Sequence, residues 1–430
     1  MKRLLLGVIA AVAMATTAAA QAPQTTFVQA GRVMIDPASG KVETAKTLVV
    51  QGGKVVRIAD GYVAEPGGKV VDLKSSFVLP GLIDSHVHLT GEQNPNGRLE
   101  NVTQSSAEQA MIGARYARRT LMAGFTTVAD LSADDDAIFA LRKATAMGDV
   151  PGPRILAAGS ALSVLGGHGD NTGYREDVTK VLQPSSVCNG PDDCRRAARE
   201  QIRAGADLVK IHATGGVLDN GATGLAQQFS DEEMAAIVDA SHRMGRKVTA
   251  HAHGADGIKA FIRAGGDSIE HGTFLDAEGI AMMKAKGIWL TPTLMAGDYA
   301  SRIASSPNNF FTPATTAKAL GLAPVQIDMV RRAHAAGVKI AFGTDTGVSA
   351  HGDNAGEFAL LVKAGLSPLE AIQSATIGAA EKLQISAVAG SLTPGHSADL
   401  VAVAGDPLKD VTVLTHVAFV MKEGTVYKGP

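Results

Sequence analysis

The middle of the chain alternates short apolar, β-branched runs with longer stretches rich in Ala, Arg and Glu. Eight of the runs read as buried strands, at residues 77–84, 125–130, 154–159, 207–212, 247–251, 268–271, 289–293 and 339–345. Between them lie helical candidates such as 107–123, 195–204, 230–244 and 255–264. These stop at Gly124, Gly205, Gly245 and Gly265, as helices commonly do. Alternating β and α units point to an α/β fold with a parallel sheet, and eight of them to a closed (β/α)8 TIM-like barrel. An open doubly wound sheet would want a G-x-G-x-x-G turn after its first strand, and none follows residue 84.

The two ends have a different texture. Residues 27–69 are rich in Val, Thr and Gly, with strand-like runs at 47–51 and 54–59 about a Gly-Gly turn. Runs at 399–403 and 416–421 look alike. These predict a small β-sandwich domain built from both termini, residues 21–76 and 386–430, around a barrel spanning 77–385.

Residues 1–20 stand apart. Lys2 and Arg3 precede an apolar stretch at 4–12 that is too short to cross a bilayer, and Ala18-Ala19-Ala20 fits a cleavage site. The expectation is a cleaved signal peptide and an exported, periplasmic or secreted protein with no membrane attachment afterwards. The 430 residues, 45% hydrophobic and 19% charged, have ordinary globular composition. A net charge of −2 offers no basic surplus for nucleic acid or an anionic membrane. Cys188 and Cys194, in VCNGPDDC, flank a turn. In an oxidising compartment they suit a local disulfide better than a zinc site, with two free thiols as the other reading.

Polar residues gather at one end of the expected strands. His86 and His88 follow the first and, being two apart, face the same way. Lys210 lies in the fourth, His251 ends the fifth, His271 the sixth and Asp345 the eighth. Barrel enzymes build their sites at these C-terminal strand ends. Four His and one Asp suit zinc-like metals. Six such groups on one rim would be costly unless a cation or a hydrogen-bond network satisfied them. Lys210 is the odd member: protonated, it would repel a cation, and alone it reads as a lysine paired with an acid such as Asp207. As a ligand it needs carboxylation to a carbamate, whose two oxygens can bridge two metals.

Six segments carry a resemblance to the metal-dependent amidohydrolases over nearly the whole chain after residue 20. They are GLIDSHVH at 81–88, VKIHATGG at 209–216, VTAHAHG at 248–254, SIEHG at 268–272, FGTDTG at 342–347 and GSLTPGHSADLVAV at 390–403. The fourth-strand lysine followed by ATGG resembles the branch of Xaa-Pro dipeptidases and ochratoxinases. The resemblance implies two divalent metal ions, zinc by preference. His86, His88 and Asp345 would hold one, His251 and His271 the other, with N6-carboxylated Lys210 and a hydroxide bridging them. It implies hydrolysis of an amide bond in acyl-amino acids or dipeptides, releasing the C-terminal amino acid; ochratoxin A would give phenylalanine and an isocoumarin acid. It also implies a homo-oligomer.

Within that picture Lys210 and Asp345 are catalytic, Asp345 carrying a proton from the attacking hydroxide to the departing amine. His253 would contact the substrate, with exchange of roles between His251 and His253 left open. His168, in GGHGDN after the third strand, either reaches the substrate from a loop or, like His212, braces the ligands. Asp84 reads as a bracing acid and His351 as a loop residue near the rim. Tyr174, Arg175 and His253 are candidates for a substrate carboxylate. Trp289, Leu294 and Met295 are candidates for an apolar wall, although core packing suits Leu294 better. With only 4% aromatic residues, that wall is expected to be Leu, Met and Val. A lactonase or imidazolonepropionase-like cyclic-amide hydrolase would use the same site on another bond. A periplasmic zinc-binding protein would use the ligands alone, but it would have no need of a proton carrier such as Asp345.

Overall fold

The computed structural model describes residues 24–219 and 224–429; the expected signal peptide, residues 1–20, lies outside the described residues. Four strands come first: β1 (Thr26–Val33), β2 (Glu43–Gln51), β3 (Lys54–Asp60) and β4 (Lys69–Pro80). Next are β5 (Leu82–Val87), β6 (Phe125–Asp130) and β7 (Arg154–Ala157), then a short pair, β8 (Ser163–Val164) and β9 (Val187–Cys188). A second series follows: β10 (Val209–His212), β11 (Val248–Ala252), β12 (Ser268–His271), β13 (Trp289–Thr291) and β14 (Lys339–Ile340). The last strands are β15 (Leu400–Val403), β16 (Phe419–Lys422) and β17 (Thr425–Lys428).

Both chain ends share one seven-stranded sheet, ordered β17-β16-β15-β4-β1-β2-β3. Alternation along these strands buries Val28, Leu48, Val71, Leu400 and Phe419 in a common core. The sheet curls, because Val55 N–H donates to His396 O at 3.0 Å and Ala398 N–H to Gly53 O at 2.8 Å. The strand expected at 77–84 proves to be two. Phe77–Pro80 belongs to β4 and pairs antiparallel with Leu400–Val403; only from Leu82 does the chain run beside β6. Gly81 makes the handover possible: a Cβ there would lie 2.1 Å from Thr126 Oγ1. β4 therefore runs through the expected boundary at residue 77.

The middle strands form two parallel sheets, β5-β6-β7 and β10-β11-β12-β13-β14. Hydrogen bonds join them at both seams. At one, Leu162 N–H donates to Lys210 O at 2.8 Å and His212 N–H to Leu162 O at 2.9 Å. At the other, Ser85 N–H donates to Phe342 O at 3.0 Å, Asp345 N–H to His86 O at 2.7 Å and His88 N–H to Thr346 O at 2.7 Å. The expected eighth strand, 339–345, is regular only at Lys339–Ile340: Phe342 N–H donates to Ser374 O at 3.0 Å instead of to a strand, and Asp345, with φ 58°, ends the extended run. β13 likewise stops before Thr293, whose φ is 49°.

The intervening helices follow local rules. Ser106–Met122 and Asp231–Arg243 open on capping boxes, Ser105 with Glu108 and Ser230 with Glu233. Their apolar faces, including Leu121 and Ile237, pack on the sheets together with Phe125 and Phe342. Three helices, Leu294–Ala304, Pro313–Ala319 and Leu322–Ala335, fill the long β13–β14 connection at the C-terminal rim. No helix among the described residues is long and apolar enough to cross a membrane. Cys188 and Cys194 form a disulfide that ties β9 to the helix Pro191–Ala204.

Candidate metal centre

The C-terminal strand ends bring together the residues that were far apart in sequence. His86 at the end of β5 and His88 just after it meet Asp345, and His271 from β12 meets His251 at the end of β11 and His253 just after it; within each trio the potential ligand atoms lie within 4.8 Å of one another. The two trios adjoin, with the His86 and His271 rings 5.2 Å apart. Lys210 Nζ, 2% exposed as a residue, sits 3.5 Å from His86 Nε2. It does not pair with Asp207, which instead receives Arg142 and the Ala157 N–H. His271 and Asp345 both adopt left-handed backbone, φ 70° and 58°. Such non-glycine residues cost about 1–3 kcal/mol each and concentrate at functional sites.

The donor set fits divalent cations. His86 Nδ1 donates to Glu270 Oε2 and His88 Nδ1 to Ser132 O, both at 2.9 Å, which leaves the two Nε2 atoms facing Asp345. Asp345 Oδ1 lies 3.0 Å from His88 Nε2 and 3.5 Å from His86 Nε2, yet it accepts no aligned hydrogen bond and is buried without a donor. Lone pairs converging on one point are satisfied by a shared cation. In the second trio, Thr293 Oγ1 donates to Pro292 O and so accepts from His271 Nδ1 at 2.7 Å. His253 Nδ1 is hydrogen-bonded to Thr273 Oγ1 at 2.7 Å.

The local field agrees. Burial, reinforced by Lys210, lowers His86 to about 4. Burial and neighbouring imidazoles hold His251 and His271 well below the ordinary range, so these rings are neutral ligands at pH 7. Burial also pushes the Lys210 ammonium down to about 8, which makes its free amine more accessible than that of a solvent-exposed lysine. It works to raise the Asp345 carboxyl, but His86 and His88 hold that group at about 2. His88 moves upward because Asp345 outweighs its burial.

A cavity of about 660 Å³ opens above the two trios, and His168, His212, His253 and Lys210 line it. His168 packs 4.2 Å from the His251 ring and is oriented by a short hydrogen bond to Asp219. His212 stacks edge-on against His168 at 4.6 Å. At the mouth, the Arg98 guanidinium lies 4.6 Å from the Tyr174 ring centroid. Arg175 is exposed and paired with Asp177 instead, outside the cavity lining. The apolar wall includes Val217, Leu218, Leu322 and Val348, as expected of Leu and Val, but Phe310 and Phe311 add two aromatic rings and no Met among the described residues takes part. Trp289 starts β13 at the opposite end, under Lys339, and neither it, Leu294 nor Met295 lines the cavity. His351 is a loop residue whose Nε2 donates to Gly91 O at 2.9 Å while its ring stacks on Tyr116. Asp84 braces the site, accepting from the backbone N–H groups of His86 and Thr344 and from Asn354 Nδ2, and burial raises it to about 6.

Three participants escaped the sequence reading. Glu270 and Lys382 support His86, and Asp219 orients His168. Glu270 stood next to His271 in SIEHG, but strand alternation points neighbours to opposite faces; the left-handed backbone at His271 lets both reach His86.

The chain belongs to the amidohydrolase family, whose pattern matches residues 77–429. It is 34% identical over 376 residues to the ochratoxinase of Aspergillus niger, covering 82% of this chain and 76% of that protein. The crystal structure of A. niger ochratoxinase superposes with a TM-score of 0.82 at 29% identity, covering 95% of this chain and 96% of that one. A Xaa-Pro dipeptidase with methionine bound in its active site gives a TM-score of 0.89 at 37% identity, covering 94% and 100%. A prolidase complexed with N-methylphosphonate-L-proline gives 0.85 at 32% identity, covering 95% and 100%. The chain therefore falls in the Xaa-Pro dipeptidase/ochratoxinase-like branch of the amidohydrolases, with their mixed α/β fold. It is an amide-bond-hydrolysing enzyme acting on small molecules, in a family that generally uses divalent metals, and its histidine clusters could hold them.

Proposed function

We propose a dinuclear metallo-amidase that releases the C-terminal amino acid from N-acyl amino acids and dipeptides, ochratoxin A included, which it would split into ochratoxin alpha and phenylalanine. The observation that carries this reading is the adjoining pair of ligand trios with Lys210 Nζ against His86. The two parallel sheets, joined at both seams, act as one (β/α)8 barrel, and the curled end sheet as a β sandwich beside it. His86, His88 and Asp345 would hold one ion, preferably zinc, and His251 and His271 the other, with carboxylated Lys210 between; bound there, the ions supply Lewis-acid activation of water and carbonyl.

The protein's own groups do the rest. Asp345 Oδ1 takes a proton from the attacking water and delivers it to the departing amine nitrogen, without which an amide leaves poorly. His253, stacked 4.9 Å from His271, and His168, oriented by Asp219, face the substrate's acyl oxygen and hold it in line. Arg98 on Tyr174 favours a substrate with a free carboxylate, and Phe310 and Phe311 favour an apolar side chain or ring. The amino acid held in the active site of the similar Xaa-Pro dipeptidase supports that product class. The Cys188–Cys194 disulfide supports an exported protein in an oxidising compartment. The homo-oligomer that the family resemblance implies is measured by light scattering.

The test is product analysis on ochratoxin A, Xaa-Pro and Xaa-Phe dipeptides, the corresponding C-terminal amides, and a lactone. Free amino acid from the carboxylate-bearing amides, with little turnover of the C-terminal amides, is the expected result. Opening of the lactone alone would overturn the substrate class.

A further inference from the structure

Lys382 reaches the floor of the site from the far end of the chain. It closes the helix Ala379–Lys382, directly after the π-helical segment Ser374–Gly378, and its side chain is 3% exposed. Its three ammonium hydrogens have three acceptors on three strands: Glu270 Oε1 at 2.8 Å, Thr291 Oγ1 at 2.5 Å and Ser85 Oγ at 3.2 Å. Glu270 is fully buried. Its Oε1 also accepts from Thr249 Oγ1, and its Oε2 accepts from His86 Nδ1 at 2.9 Å.

A buried carboxylate persists only when it is paired and hydrogen-bonded. Glu270 meets that condition through Lys382, and every oxygen of the pair is used. The consequence falls on His86. An ionised Glu270 fixes the proton of that ring on Nδ1 and leaves the Nε2 lone pair pointing at Asp345 and Lys210. Without the ammonium, Glu270 Oε1 would lose the donor that ties it to Ser85 and Thr291, the carboxylate would be free to turn, and the ring would lose its orientation.

We propose that Lys382 is a positioning residue for the first metal trio, acting through Glu270 on His86. The proposal rests on the dinuclear reading above. It predicts an asymmetry: the ion held by His86, His88 and Asp345 depends on Lys382, and the ion held by His251 and His271 does not. A residue needed only for folding would affect both alike.

The test uses the full mature chain, stripped of metal and titrated with Zn²⁺ against a chromophoric chelator, with folding followed by circular dichroism. Two variants are compared with the parent. Lys382→Met removes the ammonium at similar size and leaves Glu270 unpaired. Lys382→Met with Glu270→Gln removes both charges, leaving no uncompensated one, so it retains the fold. Both are expected to bind one Zn²⁺ about 10–100-fold more weakly and the other within about threefold of the parent. Parental affinity at both sites in a folded variant would overturn the proposal, and so would equal weakening at both. These readouts do not involve turnover. A parent that binds two ions but cleaves no amide would sink the proposed activity and leave this inference standing.

Discussion

Replacing Asp345 by Asn removes a charge and a proton acceptor while leaving nearly everything else in place. Asparagine has almost the same shape and tolerates the left-handed backbone that Asp345 adopts at φ 58°. The backbone N–H of residue 345 still donates to His86 O. What disappears is the carboxylate oxygen that lies 3.0 Å from His88 Nε2 and is buried without a donor. A positioned acid–base group contributes about 10²–10⁴ in rate, or roughly 3–5 kcal/mol of activation free energy. Asp345→Asn should therefore lower kcat on a Xaa-Phe dipeptide by about that factor while KM changes by less than about tenfold, since the loss is confined to the transition state. The assay is initial-rate release of phenylalanine by circular-dichroism-checked protein in excess Zn²⁺, with bound metal counted in the same sample. A metal-replete variant with kcat within about fivefold of the parent, or a loss carried wholly by KM, would refute the proton-carrier role.

Burial pushes the Glu357 carboxyl up to about 8 from 4.5, while the N–H groups of Leu294 and Met295 pull it back only in part. The folded form therefore keeps a proton that the unfolded form has lost, so this group's contribution to stability is full below pH 4.5 and declines towards pH 8, by on the order of 4 kcal/mol. Glu357→Gln should flatten that decline, read as urea midpoints at pH 5 and pH 8; an unchanged slope would count against it. Opening the disulfide by Cys188→Ser and Cys194→Ser frees a loop of sequence separation 6, which should cost about 2 kcal/mol and lower Tm by a few degrees in calorimetry, as dithiothreitol should in the parent. Phe342→Ala empties a site between the Phe125 and Phe358 rings, at 5.5 and 4.5 Å, and should cost about 3–5 kcal/mol in denaturant unfolding.

The eight-strand rhythm and the six rim residues were legible because strand parity and strand ends are local properties. His86 and His88, two apart, need no tertiary information to be aimed together, and Asp345 after a buried run is placed at a strand end by the same local signal. Three kinds of feature were hidden. The split of 77–84 depends on Gly81 clearing Thr126, a contact between strands. The end of the extended run at Asp345 and the inward turn of His271 depend on left-handed backbone at residues whose types do not announce it. Lys382 carries no motif, and its part in the site comes from an acceptor set, Ser85, Glu270 and Thr291, spread over three strands. The two aromatic rings of the wall were missed for a related reason. Phe310 and Phe311 sit in the long connection after β13, where no periodicity points to the cavity.

Two divalent ions, one held by His86, His88 and Asp345 and the other by His251 and His271, are needed for amide cleavage in the proposed reaction. The most direct measurement removes metal with a chelator, returns Zn²⁺ stepwise, and follows phenylalanine release from a Xaa-Phe dipeptide at each step, with Lys210→Ala beside the parent. Activity that climbs to a plateau at about two equivalents per chain, absent in Lys210→Ala, is the predicted result. Full activity in the stripped protein, or a plateau at one equivalent that Lys210→Ala shares, would contradict it.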